Sequence, residues 1–306
     1  MSSSTRAPLH CLTFDVEEHF QVNAFESPER RSRWLDDESR VERNTEKILE
    51  LLERHRYRAT FFVLGWVAER HARLVERIAA AGHEVASHGY GHELISRLTP
   101  EAFREDVRKA KKILEDVIGA PVTGYRAPSF TIMPGTSWAL EVLVQEGYAW
   151  DSSVVPVLHD VYGWPGAEPY LHRIETPSGP LWELPPSTAG LLGARVAVGG
   201  GGHFRLYPYP VIRTLLRRIE AKGKTIVFYL HPWELDPGQP RMEGSPLSRF
   251  RHYFHLAQVE GRLERLFDDF RFASVREVLP SLTRAFERRQ ATAAAGTEAL
   301  ARIHAR

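Results

Sequence analysis

Short apolar segments of strand length alternate along this chain with longer amphipathic segments of helix length. The predicted strands are 9–14, 59–64, 83–86, 122–125, 148–150, 181–185, 225–230 and 272–274, and the predicted helices are 40–56, 67–81, 100–118, 137–147, 208–222, 249–269 and 275–286. Such alternation is typical of parallel strands joined by crossover helices. The pattern therefore favours a single barrel-like α/β domain. A doubly wound open sheet remains the alternative, because periodicity does not distinguish the two.

The domain is predicted to span 9–286, with a short extension at 1–8 and an Ala-rich, charged tail at 287–306. No shift in composition marks a further boundary. The segment 152–180 is rich in Pro and Gly and longer than an ordinary connection, so we expect it to form a wall of a site. The four-glycine run at 199–202 lacks the Gly-Lys-Ser/Thr continuation of a phosphate-binding loop.

Charge and cysteine content exclude several classes of function. The 306 residues carry 40 basic and 39 acidic side chains, a net charge of +1, which argues against nucleic acid as the main partner. The single Cys11 excludes an internal disulfide framework and a thiolate metal site. No apolar run approaches the roughly 18 residues of a membrane span. Residues 1–8 lack the apolar core of a secretory signal, so we expect a cytoplasmic protein.

The polar residues best suited to catalysis or metal binding all follow predicted strands. They are Asp15, Glu17, His88, His92, Arg126, Asp151 and His231. The carboxyl ends of parallel barrel strands share one face, where active sites lie. We therefore expect these residues, although distant in sequence, to meet in one pocket.

A metal site is predicted from the spacing His88-x-x-x-His92. If the residues between them form one helical turn, both imidazoles lie on the same face and can bind one ion. Glu17 is the expected third ligand, and two histidines with one carboxylate are typical of a catalytic zinc-type site. Glu18 and His19 are near enough to compete for the ion. A pair of surface or capping histidines is the alternative.

Acid–base roles can be assigned to the remaining polar residues. Asp15 is a candidate general base, and Arg126 is expected to orient it and keep it ionised. His231 is a candidate acid for a leaving amine, with Asp151 accepting its other proton and fixing one tautomer. The Ser129 N–H is a candidate oxyanion donor. An ordinary ion pair for Arg126 and a hydrogen-bonded core position for His231 are the simpler alternatives.

Aromatic side chains adjoin the same predicted site. Phe130 and Trp233 either pack at its rim or stack against a sugar ring.

Taken together, these motifs resemble those of the NodB-type polysaccharide deacetylases, which are similar to carbohydrate esterase family 4. The matching elements, in order, are Thr13-Phe14-Asp15-Val16-Glu17, His88-x-x-x-His92, Arg126-Ala127-Pro128, Asp151 and Leu230-His231. The resemblance implies a distorted barrel with about seven parallel strands, a divalent metal that is most often zinc (Zn²⁺), and removal of acetyl groups from N-acetylated sugars.

By the same resemblance, Asp15 matches the family base and Arg126 the arginine of the third motif. His88 and His92 match the metal histidines, and His231 matches the acid. Two departures are visible. The usual adjacent aspartates are replaced by two acids separated by a valine, the second being a glutamate. The aspartate of the fourth motif is present without its usual downstream tryptophan.

One branch is particularly similar, namely the deacetylases encoded beside exosortase and exopolysaccharide genes. The segments that carry this likeness are 15–17, 150–153 and 231–234. The sequence thus predicts a metal-dependent deacetylase of an exopolysaccharide or its lipid-linked precursor. An allantoinase-like hydrolase of cyclic amides or ureides and a non-catalytic glycan-binding barrel are the alternatives.

Overall fold

The computed structural model describes residues 9–304 except positions 160 and 192, with side chains as far as residue 292. The predicted extension 1–8 and the last two residues of the predicted tail lie outside this range. Within the tail, residues up to His304 continue the last helix.

Strands and helices alternate through the first half of the chain as the pattern predicts. The strands are β1 (Leu9–Val16), β2 (Thr60–Val63), β3 (Glu84–Ser87), β4 (Gly124–Tyr125), β5 (Trp150–Asp151), β6 (His172–Thr176), β7 (Gly179–Glu183), β8 (Thr188–Leu191), β9 (Ala194–Ala197), β10 (Val227–Leu230) and β11 (Arg271–Ala273). The α-helices are α1 (Pro28–Arg31), α2 (Val41–His55), α3 (Gly65–Arg70), α4 (Ala72–Ala80), α5 (Pro100–Ile118), α6 (Trp138–Gln145), α7 (Gly201–Leu206), α8 (Tyr209–Ala221), α9 (Pro246–Tyr253), α10 (Val259–Asp269) and α11 (Val275–His304).

The main sheet has the order β10-β1-β2-β3-β4-β5-β7-β6, with β11 also paired to β1. All pairs are parallel except β6–β7. β6 and the small antiparallel pair β8–β9 were not predicted. Both lie in or beside the long Pro- and Gly-rich region, where short amphipathic segments give no clear strand signal. The mostly parallel single-domain α/β architecture is confirmed.

The sheet curls into an incomplete barrel. Arg126 follows β4, yet its Nη1 lies 2.8 Å from Thr13 Oγ1 and 2.7 Å from Asp15 Oδ1 on β1, three positions away in the sheet. Only a curved sheet allows such contacts across its concave face. The free edge of β10 is covered by the segment after β7, because the Ser187 N–H donates to the Val227 carbonyl at 3.1 Å.

The glycine run forms part of this seam. The Tyr229 N–H donates to the Gly199 carbonyl at 2.6 Å. A Cβ on Gly200 would lie 1.8 Å from the Tyr229 carbonyl oxygen, and Gly200 has a φ of +131°. The run therefore permits close backbone approach to β10.

Alternating side chains of the strands separate the barrel interior from the helix-covered exterior. Cys11, Phe62 and Trp150 belong to one small buried cluster inside the barrel. Leu12 and Phe14 point the other way, into the large core beneath the helices. Because side chains of a strand alternate between faces, Asp15 lies on the inner side with Cys11.

Two predicted helices are divided in the structure. The segment 67–81 forms α3 and α4, which meet at His71 with φ −125° and ψ 46°. The segment 249–269 forms α9 and α10, separated by His255 in the left-handed region. By contrast, α5 begins and ends as predicted, with the Thr99 side chain accepting from the Ala102 N–H and Gly119 in the left-handed region.

Among the helices of the described residues, none combines the length and hydrophobicity that crossing a bilayer requires.

Candidate active site

A cleft of about 480 Å³ opens at the carboxyl ends of the parallel strands. Its lining includes predicted site residues from four regions: Asp15 and Glu17 after β1, His88 and His92 after β3, Ser129 and Phe130 after β4, and His231 and Trp233 after β10. Its volume is within the range of about 300–1,000 Å³ common to ligand sites. The expected convergence of distant segments is therefore observed.

The predicted metal ligands form one compact group. One ligand atom from each of Glu17, His88 and His92 lies within 4.8 Å of the others, and all three residues are buried. The Glu17 Oε2 atom is 2.7 Å from His92 Nε2 and 4.0 Å from His88 Nε2. A carboxylate and two imidazoles are donors that suit zinc and leave coordination positions open.

The hydrogen bonding of these three residues is also consistent with a bound cation. Glu17 Oε2 is buried and accepts no well-directed hydrogen bond, despite its short distance to His92. A buried carboxylate oxygen without a donor is costly unless something else satisfies it, and a cation at this point does so. Glu18 does not compete, since its carboxylate accepts from the Ser39 hydroxyl and the Arg40 N–H.

The loop between the two histidines is not the predicted helical turn. Gly89 has a φ of +76° and His92 a φ of +52°, both in the left-handed region. The Asp106 carboxylate of α5 accepts the N–H groups of Tyr90 at 2.8 Å and Gly91 at 3.2 Å. These bonds replace those of a helix and hold the two imidazole centroids 5.4 Å apart. The shared ligand face is thus produced by a loop.

Neighbouring groups orient the ligand side chains. His88 Nδ1 lies 2.8 Å from the Arg126 carbonyl oxygen, which leaves Nε2 toward the metal group. The Trp233 indole N–H donates to Glu17 Oε1 at 2.9 Å. The Trp233 ring stacks on His231 and His252, at 5.0 and 4.2 Å between centroids. These contacts make Trp233 a support of the site and do not favour the predicted stacking on sugar.

Asp15 is held by an arginine that is buried completely. Arg126 donates to Asp15 Oδ1 at 2.7 Å and to the Ser152 hydroxyl at 2.9 Å. Its guanidinium also lies over the Phe62 ring, 4.0 Å from the centroid. The other Asp15 oxygen, Oδ2, is 3.9 Å from His231 Nε2. The predicted pairing of Arg126 with Asp15 is therefore present, and it fixes one oxygen while the second faces the cleft.

His231 is paired with a residue that was not predicted. Its Nδ1 lies 2.7 Å from Glu234 Oε1, and Glu234 Oε2 accepts from Arg205 Nε at 2.7 Å. Glu234 and Arg205 are both buried. Because the carboxylate accepts the Nδ1 proton, His231 Nε2 is directed to the space beside Asp15 and Glu17.

The predicted contact between Asp151 and His231 is wrong. The Asp151 carboxylate accepts instead from the Ser153 hydroxyl at 2.6 Å and the Ser153 N–H at 3.2 Å. Asp151 is also the register partner of Glu183 on β7. Its side chain is fully buried in this pair and is absent from the cleft lining. The local turn after β10 supplies a nearer carboxylate, which is why Glu234 takes the predicted role.

Burial and neighbouring charge set the protonation of these groups. Burial opposes the charge of His231, but the carboxylates of Glu17 and Glu234 outweigh it and raise the His231 pKa to about 9. Burial also opposes ionisation of Glu17, yet His92 and His231 lower its pKa overall. Burial lowers the pKa of His88 to about 4, so its imidazole is neutral and able to bind metal.

The wall after β4 adopts an uncommon backbone. Ser129 and Phe130 both have positive φ, 50° and 55°. Such residues cost about 1–3 kcal/mol each and cluster at functional sites. The Phe130 ring packs on Tyr229 and Tyr162, with centroids 4.9 and 5.9 Å away. Tyr162 belongs to the segment 152–180, which lines the cleft as predicted.

Comparison with known proteins agrees with this geometry. The polysaccharide deacetylase family matches residues 27–144. A peptidoglycan-N-acetylglucosamine deacetylase of Bacillus cereus is 35% identical over 98 residues, 32% of this chain and 36% of the relative. A chitooligosaccharide deacetylase of a Bradyrhizobium species is 37% identical over 70 residues, 23% of this chain and 32% of the relative. Residues 27–144 thus match the polysaccharide deacetylase family, and the resemblance to NodB-type deacetylases that the motifs predict is confirmed.

The match to these curated deacetylases spans about a third of their length. Residues 152–280 match a separate domain of unknown function, DUF3473, and contribute the second half of the cleft. A crystal structure from Mycobacterium smegmatis, of a protein proposed to be a polysaccharide deacetylase, has a TM-score of 0.62 and 20% identity over 94% of both chains. That similarity concerns the fold.

Several functional positions were missed from the sequence. Glu234 lies three residues after His231, a spacing that could have indicated it. Asp106 and Arg205 gave no signal, because charged residues on amphipathic helices are ordinarily solvent-exposed. Their contacts with the site residues follow from tertiary packing alone.

Proposed function

We propose that this chain is a metal-dependent hydrolase that removes N-acetyl groups from a glycan containing N-acetylhexosamine. The observation that carries the proposal is the position of Asp15 and His231 beside the ligand group of Glu17, His88 and His92 at one cleft. The match of residues 27–144 to the polysaccharide deacetylase family supports the same class of reaction.

The residues that would hold the metal are Glu17, His88 and His92, and zinc is the divalent ion that suits these donors best. When bound, such an ion lowers the pKa of water and polarises a carbonyl oxygen.

The chain's own residues supply the proton transfers. Asp15 accepts a proton from the attacking water through Oδ2, since Arg126 occupies Oδ1. His231 carries a proton at Nε2 and donates it to the departing amine, after which acetate is released. Its raised pKa, about 9, keeps the imidazolium populated near neutral pH. The Ser129 N–H is our candidate donor to the developing oxyanion.

The glycan is proposed to be an exopolysaccharide or its lipid-linked precursor. This finer proposal depends on the resemblance of the segments 15–17, 150–153 and 231–234 to deacetylases encoded beside exosortase genes.

Release of acetate from N-acetylglucosamine oligomers is the direct test. We expect turnover with bound zinc, loss after chelation, and recovery when metal is restored. Asp15→Asn is expected to reduce turnover by about 10²–10⁴-fold while retaining metal, because Asp15 lies outside the ligand group. Glu17→Gln is expected to lose metal as well as turnover, which metal analysis of the purified variants would measure.

Two results would contradict the proposal. Ring opening of allantoin without acetate release would favour the cyclic ureide hydrolase. Glycan binding without any acetate release by the metal-loaded wild type would favour a binding barrel.

A further inference from the structure

One wall of the cleft is basic. His159, His203 and Arg251 all line it, and they come from segments other than those that carry the metal ligands. Among the described residues that line the cleft, the acidic ones are Asp15 and Glu17. Both are already engaged, with Arg126 and with Trp233 and the histidines. The cleft therefore has an acidic, metal-binding end and a wall of basic side chains. We call His159, His203 and Arg251 the basic wall.

The backbone beneath the basic wall is held firmly. Arg205 Nη1 donates to the carbonyl oxygens of Arg251 at 2.9 Å, His252 at 2.6 Å and Phe254 at 3.2 Å. The same arginine donates from Nε to Glu234, which holds His231. The position of Arg251 is thus connected through one buried side chain to the catalytic turn. A ligand that spans both ends would meet a preorganised surface.

The charge of Arg251 is not neutralised by the residues that the structure describes. The Arg251 guanidinium forms no ion pair or side-chain hydrogen bond with the residues that the structure describes. Burial lowers the pKa of His203, and the charges of His159 and Arg251 lower it further. His203 is therefore a neutral imidazole near pH 7, able to donate one hydrogen bond, while Arg251 supplies a permanent charge.

We propose that the basic wall is a subsite for an anionic group, a carboxylate or a phosphate, on a sugar that flanks the N-acetylhexosamine. A guanidinium binds either oxyanion through paired charge-assisted hydrogen bonds, and the adjoining imidazole adds a donor. The location of the N-acetylhexosamine at the other end of the cleft rests on the proposed function. The substrate class that follows is an acidic N-acetylated glycan.

Binding measurements can test this independently of turnover. The protein used is the zinc-loaded Asp15→Asn variant, which leaves the oligomers intact, and affinities are obtained by titration calorimetry. The ligands are a neutral N-acetylglucosamine oligomer, an oligomer of equal length alternating N-acetylglucosamine with glucuronic acid, and the neutral oligomer carrying a terminal phosphate. We expect at least one anionic oligomer to bind about tenfold more tightly than the neutral one. This ratio of affinities should decrease as the salt concentration increases. The oligomer that gains affinity identifies the anion.

Two arginines of the same helix provide matched variants in that background. Arg251→Ala is expected to bring the ratio of anionic to neutral affinity to within about twofold of one. Arg249→Ala is expected to leave the ratio unchanged, since Arg249 lines a different surface depression with Arg241. Equal binding of neutral and anionic oligomers, no detectable binding of the anionic ones, or a ratio insensitive to Arg251→Ala would overturn the proposal. Failure of the wild type to release acetate would remove the proposed function and leave these ratios measurable.

Discussion

At the scale of single residues, the orientation of His231 depends on Glu234. The Glu234 Oε1 atom accepts a hydrogen bond from the backbone N–H of His231 at 3.1 Å and also lies 2.7 Å from His231 Nδ1. Burial opposes ionisation of Glu234, but Arg205 and His231 lower its pKa overall. One ionised side chain therefore fixes the imidazole ring, its tautomer and the start of the following turn, which makes Glu234 a positioning residue.

Glu234→Gln is expected to lower kcat about 10–100-fold with KM changed less than about twofold, because the acid is misoriented and substrate contacts remain. It should also reduce the free energy of unfolding by about 3–5 kcal/mol, because the buried Arg205 charge loses its carboxylate partner. Arg205→Met is the matched control: it breaks the same ion pair but keeps the contact of Glu234 with His231. Equal losses of kcat in both variants, alongside equal losses of stability in denaturant, would assign Glu234 a structural role only.

At the scale of elements, the metal-binding loop after β3 is shaped by α5. The Asp106 carboxylate packs against this loop, partly buried, and accepts two of its backbone N–H groups. A Cβ on Gly89 would lie 2.7 Å from Asp106 Oδ2, and the φ of +76° is itself unfavourable for other residues. The loop conformation thus requires both a glycine and a helix that carries an acid at the correct turn.

Gly89→Ala is expected to weaken zinc binding at least tenfold, as measured by competition with a chelator, and to destabilise the fold by about 1–3 kcal/mol. Gly119→Ala is a suitable control, because Gly119 ends the same helix with φ +64° and has no atom within 4 Å of an added Cβ. It should lower stability by about 1 kcal/mol and leave metal affinity as in the wild type. Wild-type metal affinity in Gly89→Ala would show that the loop tolerates another shape.

At the scale of the whole molecule, the barrel carries a buried pair of acids behind the active site. Asp151 and Glu183 lie opposite each other on β5 and β7, both fully buried. Burial and the neighbouring Asp151 raise the pKa of Glu183 well above its usual range. Glu183 consequently keeps its proton to a higher pH in the folded protein than in the unfolded chain. Folded protein therefore binds more protons, and stability must fall as pH rises above about 4.5, the ordinary pKa of the group.

Glu183→Gln removes this cost, because the amide stays neutral. The free energy of unfolding of the variant relative to wild type should accordingly increase between pH 5 and pH 8, measured by urea titration at each pH. Glu175→Gln, at an exposed position of the neighbouring strand, should show no such change. If the free energy of unfolding of Glu183→Gln differed from that of the wild type by the same amount at pH 5 and at pH 8, Glu183 would be ionised in the folded state.

The sequence determined the elements and most of the site. Alternating apolar segments require parallel strands with covering helices, and in such a fold residues after the strands meet at one face. Asp15, Glu17, His88, His92 and His231 were therefore predictable as one group. Likewise, the Thr99 cap and Gly119 specify the limits of α5 through local hydrogen bonding.

Tertiary structure decided which partners those residues have. The carboxylate beside His231 could be Asp151 or Glu234 until the turn after β10 was placed, since both lie near strand ends. The shape of the 88–92 loop depends on Asp106, whose contact with that loop no local pattern indicates. The basic wall likewise forms only where three distant segments pack together. Local sequence fixes backbone preferences and polarity, whereas contacts between segments depend on the closure of the whole barrel.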